Sequence, residues 1–337
     1  MDRKKYSTIF FYMKRIERED ISFKQLGATP PLLDILTSKK INHPTPIQAQ
    51  AIPPVLKGND CIGIAQTGTG KTLAFILPMI HHLVKNRGKQ ALIVAPTREL
   101  AIQIQEVCYW FKRSQKIYST VIIGGASMNK QIQEVKRGVQ VIIATPGRMI
   151  DHLKQKTINL NKVDYLVLDE ADRMFDMGFA PQIKQILKHM PAKEKRQTVL
   201  FSATMPDAIA KLVSAHMREP VRIEIAAPGT AATKVQQEII ILDNQHRKMA
   251  LLELLDQTKG AVLVFMRTKH QAKKLTYWLK QQTYRVEELH GNLSLGKRKR
   301  AVAAIQSKKS RILIATDVAA RGIDITHLKL VVNFDYQ

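Results

Sequence analysis

From residue 60 onward the chain alternates two hydrophobic patterns. Short runs rich in Val, Ile and Leu, at 60–65, 91–95, 120–123, 139–144, 165–168, 198–201 and 221–225, are mostly apolar, as strands of a sheet covered on both faces are. Between them lie segments whose apolar residues recur at three- and four-residue spacing, 100–111 and 181–189 among them, which predicts helices with one buried face. This alternation predicts an α/β fold with a mostly parallel sheet covered by helices. The stretch AAPGTAAT at 226–233 is small, polar and without period, and it predicts a linker. The alternation then restarts, with strands expected at 236–242, 261–265, 285–288, 311–315 and 329–334 and helices at 247–257, 268–281 and 294–305. A length of 337 residues suits two domains. The expected organisation is an extension at 1–20, a first domain at 21–225, a linker at 226–235 and a second domain at 236–337.

Charge changes this picture by suggesting a partner. The chain carries 53 Lys and Arg against 28 Asp and Glu, a net charge of +25. The excess is spread over both halves: residues 1–225 hold 34 basic and 19 acidic side chains, residues 226–337 hold 19 and 9. Such a surface attracts polyanions, and nucleic acid is the abundant one. Charge alone leaves a generally basic proteome as an equal explanation. The two cysteines, Cys61 and Cys108, exclude a disulfide scaffold and lack metal-ligand spacing, so a reducing, cytoplasmic location is expected. No run reaches 18 apolar residues, so no membrane partner is expected. The first residues, MDRKKYSTIFFYM, lack the long apolar region of a secretory signal. They read as a docked segment or as an extension upstream of a start at Met13.

Candidate chemistry begins at residues 65–72, AQTGTGKT. This is a phosphate loop with Ala65 in place of the first Gly, set between an expected strand and an expected helix. Ala65, Gln66, Thr67, Gly68, Thr69 and Gly70 would wrap phosphate oxygens with main-chain N–H groups. The helix start adds its positive dipole end. Lys71 would reach the β- and γ-phosphates, and the Thr72 hydroxyl would bind Mg²⁺. An isolated Gly-rich turn is the competing reading, and the strand–helix context disfavours it. The run 165–168 ends in Asp169-Glu170-Ala171-Asp172. Asp169 is placed to hold Mg²⁺ and Glu170 to activate an attacking water. Alone, this acidic group would read as a solvated helix cap. Its company with the phosphate loop makes it a catalytic candidate.

These residues resemble the DEAD-box RNA helicases of superfamily two, over roughly residue 21 to the end. Phe23 and Pro44-Thr45-Pro46-Ile47-Gln48 are similar to the adenine-reading segment of that family. The carboxamide of Gln48 can donate and accept at once. Ser202-Ala203-Thr204 resembles the motif that couples ATP state to strand separation, its hydroxyls expected to hydrogen-bond the carboxylates at 169–172, with Asp172 among the coupling residues. Pro96-Thr97-Arg98-Glu99-Leu100, Gly124-Gly125 and Thr145-Pro146-Gly147-Arg148 resemble the RNA track. Each follows an expected strand, so all fall at one sheet edge. Pro96, Thr97, Arg98, Gly124, Gly125, Thr145, Gly147 and Arg148 would there hold phosphate and sugar oxygens without reading sequence. Taken singly, PTRE and TPGR are also good helix starts. In the second domain, 264–265, 290–291 and 316–324 match later motifs of the family, which gives Thr316 to RNA and Asp317, Gly322 and Asp324 to the cleft where that domain meets ATP or RNA. Arg321 more naturally supports its own loop. The run Lys297-Arg298-Lys299-Arg300 reads as facing solvent in preference to RNA.

The resemblance implies two tandem RecA-like domains, ATP and Mg²⁺ as ligands and RNA as partner; the sequence does not define the oligomeric state, and a monomer is expected. DNA is disfavoured by DEAD and SAT together. Three departures from the family pattern shape the expectation. Lys40-Ile41 stands where the family has Gly-aromatic, and Leu295 stands where it has Gln, with Arg298 at the place of the paired Arg. The arginine-rich HRxGRxxR segment, which supplies an arginine finger, does not occur before residue 337, so the second domain is expected to be truncated. Two readings follow. One is an ATP-dependent RNA helicase, with hydrolysis coupled to local duplex unwinding. The other is an ATP- and RNA-binding chain with little or no hydrolysis.

Overall fold

The computed structural model describes residues 21–225, 238–241, 243, 245–320, 325 and 327–335. The first sheet holds β1 (Cys61–Ile64), β2 (Gln90–Val94), β3 (Ser119–Ile122), β4 (Val141–Ala144), β5 (Val163–Leu168), β6 (Gln197–Ser202) and β7 (Val221–Glu224). Their order is β3-β4-β2-β5-β6-β1-β7, and every neighbouring pair is parallel. The second sheet holds β8 (Ala261–Met266), β9 (Val286–Leu289), β10 (Ile312–Thr316) and β11 (Leu328–Asn333) in the order β11-β8-β10-β9, again all parallel. These are the two α/β domains expected from the alternation, the second with the shorter sheet.

Burial on both faces explains the continuous apolar runs. Ala91, Ile93 and Ala95 enter the core on one side of the first sheet. Leu92 and Val94 enter the core on the other, because successive side chains leave opposite faces of a strand. Each parallel connection returns through a helix, so the C-terminal ends of the strands share one edge, where ligands gather in open α/β sheets.

One predicted element fails. Residues 238–241, the described part of the strand expected at 236–242, pair with no sheet, and Ile239 is 93% exposed. Their β-branched run suits a strand, but a strand also needs a hydrogen-bonded neighbour, and β propensity alone does not supply one. The extension 1–20, the linker 226–235 and the site candidates Arg321, Gly322 and Asp324 lie outside the described residues.

Candidate functional site

The phosphate loop joins β1 to the helix Lys71–Lys85. Gly68 and Gly70 have φ of 82° and 89°, backbone that side chains with a Cβ rarely adopt. Gly70 is also closed sterically: a Cβ there would lie 2.5 Å from Gln48 Nε2. The Lys71 ammonium is buried and donates to the Ala65 carbonyl at 2.9 Å, and the Thr69 hydroxyl donates to the Gln66 carbonyl. Gln48 is buried, and both ends of its carboxamide are engaged within the protein. Oε1 accepts from the Thr45 N–H at 2.9 Å and Nε2 donates to the Gly70 carbonyl at 2.8 Å. Gln48 therefore ties the start of its own helix, Pro46–Leu56, to the phosphate loop, and an adenine contact requires one of these bonds to be exchanged. Phe23 is 2% exposed in the first core, so almost none of its surface is open to a nucleotide.

Asp169 and Glu170 follow β5, and both are buried. Burial pushes the Asp169 carboxyl up to about 6, against the pull of the nearby Lys71 ammonium. Glu170 is likewise raised by burial, with Arg173 opposing. Glu170 has a φ of 52°, a strained value for a non-glycine residue. Its Oε2 accepts from Arg173 Nη1 at 3.0 Å, which fixes the carboxylate. The Thr72 hydroxyl, in the first turn of the helix Lys71–Lys85, and the buried Asp169 carboxylate are donor types that would suit Mg²⁺, which is commonly held by one or two carboxylates together with substrate phosphates. A divalent cation beside Asp169 would favour its ionised form against the burial that raises its pKa.

Asp172 connects this group to 202–204. Its Oδ2 accepts from the N–H groups of Ala203 (3.1 Å) and Thr204 (3.0 Å) and from the Thr204 hydroxyl (3.1 Å). Ser202 behaves differently from the expectation. Its Oγ accepts from the Asp172 N–H at 3.1 Å and, among the described residues, donates to no carboxylate. The reason is positional: Ser202 ends β6, beside β5, and so faces the main chain where the helix Ala171–Asp176 begins.

A cleft of about 440 Å³ opens between the domains, lined by Pro96, Thr97, Arg98, Gly124, Thr145, Gly147 and Arg148 from the first and Thr316 from the second. Four stretches separated by up to about two hundred residues thus meet at one surface. Gly125 supports the wall: its φ is 77°, and a Cβ would lie 2.6 Å from Arg98 Nη1. Thr97 also caps the helix Arg98–Trp110, accepting from the Leu100 N–H at 3.2 Å, so the helix-start and cleft readings of this motif hold together. Burial and the neighbouring Arg298 and Arg148 pull Arg98 below the usual guanidinium range. Three arginines share this small space, which favours an anion.

Arg298 corrects the reading of the basic run at 297–300. Lys297, Lys299 and Arg300 are exposed, but Arg298 is 6% exposed. Its Nε lies 2.6 Å from Glu99 Oε1 of the first domain, and its Nη1 donates to the His290 carbonyl at 3.0 Å. Leu295, one helical turn earlier, packs against the core of the first domain. A polar and an apolar contact thus cross the interface side by side.

Comparison with known proteins decides the family. The family profile described as DEAD/DEAH box helicase matches residues 45–212, and that described as helicase conserved C-terminal domain matches residues 246–337. The chain belongs to the DEAD-box helicase family. It is 40% identical to the probable ATP-dependent RNA helicase DDX46 of Pongo abelii, over 95% of this chain and 33% of that one. It is also 40% identical to the pre-mRNA-processing ATP-dependent RNA helicase PRP5 of Chaetomium globosum, over 96% and 31%. It therefore spans about a third of the length of these curated relatives. Among solved structures, S. cerevisiae Dbp5 bound to RNA and ADP BeF3 shares 34% identity and a TM-score of 0.80, over 94% of this chain and 81% of that one.

Within this helicase core, two supporting residues carry no motif signal. Gln131 Oε1 lies 3.2 Å from Arg148 Nε and 2.9 Å from His152 Nε2, while its Nε2 donates to the Ile123 carbonyl at 2.9 Å. Arg148 also donates to the Ala126 carbonyl. His152 is fully buried, and burial with the adjacent Arg148 keeps its pKa low and the ring neutral. Gln131 and His152 thereby fix Arg148 against the loop that carries Gly124 and Gly125. In sequence they are a polar pair on separate helices, and nothing in their spacing announces the contact. Arg173, which holds Glu170, was equally silent.

Proposed function

We propose that this chain binds ATP with Mg²⁺ at 65–72 and 169–170, binds RNA in the interdomain cleft, and couples ATP hydrolysis to local unwinding of RNA duplexes. The observation that carries this reading is the cleft itself, which gathers residues of both domains at the strand edge shared with the phosphate loop. RNA contacts that need both domains favour the closed arrangement, and nucleotide contacts at the same interface do so too. Each ligand then raises affinity for the other. Asp172, bonded to Thr204, gives the nucleotide site a rigid link to the end of β6. Bound Mg²⁺ would neutralise phosphate charge as the terminal bond breaks. Around it, Lys71 would turn from the Ala65 carbonyl to phosphate, and Glu170, fixed by Arg173, would accept a proton from the attacking water. The Dbp5 neighbour, described as bound to RNA and ADP BeF3, supports both ligand classes. We extend the proposal to a monomeric, cytoplasmic chain. Two buried free cysteines suit a reducing compartment, their thiols pushed up to about 12 chiefly by burial.

The deciding experiment is steady-state ATP hydrolysis by the purified chain with and without single-stranded RNA, against Lys71→Ala. RNA-stimulated turnover well above that variant is expected. Turnover equal to it, with ATP still bound, would leave a binding protein without hydrolysis.

The Asp169 carboxyl adds a pH signature. Its pKa is raised to about 6, so the ligating carboxylate is lost as pH falls through 6. Below that value the Mg²⁺-dependent part of nucleotide affinity should drop by up to about tenfold per pH unit, the slope for one linked proton. Asp169→Asn should lack this component, which separates it from titration of the nucleotide. Equal pH profiles for the two proteins would remove Asp169 from the metal site.

A further inference from the structure

The edge of the first domain opposite the cleft carries an exposed basic and aromatic surface that the site above does not use. Tyr109, in the last turn of the helix Arg98–Trp110, is 49% exposed, and Tyr118, just before β3, is 46% exposed. The Lys112 ammonium lies between them, 5.3 Å from one ring centroid and 5.6 Å from the other. Arg113 and Lys116 are exposed alongside, and Lys39 sits over Trp110 at 5.3 Å. No Asp or Glu occurs between Glu106 and Glu134, so nothing in this stretch neutralises the patch.

Both rings stand on rigid main chain. Tyr109 is helical. The Tyr118 N–H donates to Gln140 Oε1 at 2.8 Å, and its carbonyl accepts from the N–H groups of Gln140 and Val141. Each ring has the Lys112 ammonium over it and still leaves close to half of its residue's surface open to solvent. Rings interleaved with lysine and arginine suit stacked bases with phosphates between them.

Topology gives the patch its relation to the cleft. β3 is the edge strand of its sheet. Gly124 and Gly125 follow its C-terminal end, in the cleft wall, and Tyr118 precedes its N-terminal end. Four residues of strand span only about 13 Å. We propose that Tyr109, Tyr118, Lys112, Arg113 and Lys116 form a second contact for single-stranded RNA, which takes the strand where it leaves the cleft along the outer edge of β3. This rests on the reading of the cleft as an RNA site. Stacking and phosphate contacts there are insensitive to base identity, so the patch lengthens the footprint without adding sequence preference.

The test measures affinity for two oligouridylates, one of about six and one of about sixteen nucleotides, within the range of single-strand site sizes, with a non-hydrolysable ATP analogue present. The short oligomer reports the cleft alone. For the long one, Tyr109→Ala with Tyr118→Ala should weaken binding about fivefold or more per ring. The short oligomer should bind as to the wild type, which also verifies folding. Tyr109→Phe with Tyr118→Phe, which keeps the stacking faces, should retain the affinity for the long oligomer. Equal affinity of the alanine variant for the long oligomer would overturn the proposal, and so would an equal loss on both oligomers. If RNA affinity is unchanged while sedimentation of the chain shifts, the rings serve self-association and the proposal also falls. Failure of the short oligomer to bind the wild type would refute the cleft reading, and this inference with it.

Discussion

Glu170→Gln is expected to lower RNA-stimulated ATP turnover about 10²–10⁴-fold, the usual contribution of a general base, while ATP affinity changes by no more than a few-fold. Gln matches Glu in shape and can still accept from Arg173 Nη1, now 3.0 Å from Oε2. What it cannot do is take a proton. The buried position, with φ at 52°, points to a side chain held by its surroundings at a stored cost of about 1–3 kcal/mol. Such strain is retained where the aim of one group matters. Turnover and equilibrium binding of a fluorescent ATP analogue would be measured together. Turnover within about threefold of the wild type would remove Glu170 from the reaction.

Breaking the Glu99–Arg298 pair should have the second-largest effect. The two side chains are 9% and 7% exposed and 2.6 Å apart. Glu99→Ala leaves a buried guanidinium without its counter-charge, at a cost of about 3–5 kcal/mol. This cost falls on the interface between the domains, because Glu99 meets Arg298 across it while the bonds of Arg298 to its own domain remain. The first domain should therefore melt nearly as before, while a fluorescence distance between labels on the two domains lengthens in the presence of ATP analogue and RNA. RNA-stimulated turnover should fall with it. Exchanging the charges, Glu99→Arg with Arg298→Glu, should not restore closure. Arg298 also donates to the His290 and Ala319 carbonyls, and a glutamate there would face those oxygens with no proton to give. Full recovery by the exchanged pair would mean that charge alone acts at this interface.

Much of the fold is legible in the order of residues because its signals are local. Apolar runs buried on both faces require cover on both sides, and helical spacing between them supplies it. The expected helix at 247–257 coincides with Arg247–Gln257, and the strand expected at 165–168 lies within β5. The phosphate loop is legible for the same reason: Gly68, Gly70 and Lys71 must be neighbours in sequence to be neighbours around a phosphate. The strand expected at 236–242 shows the limit of local signals, since Ile239, Ile240 and Ile241 have the residue types of a strand and no neighbour to pair with.

The sequence by itself determined the parallel architecture, the presence of two α/β domains, the Gly-rich loop between β1 and its helix and the family, each carried by short stretches of chain. Tertiary structure alone decided which side chains meet across long separations. Arg298 is chemically indistinct from Lys297, Lys299 and Arg300 until folding brings it to a carboxylate 199 residues away. Gln131 and His152 become supports of Arg148 only once their helices pack beside the same strand ends. Ser202 and Thr204 share a motif, yet one accepts from main chain and the other donates to Asp172, because the end of β6 points them differently. Local sequence sets backbone preference and hydrophobic period, whereas the partner of a long polar side chain depends on where the rest of the chain has folded.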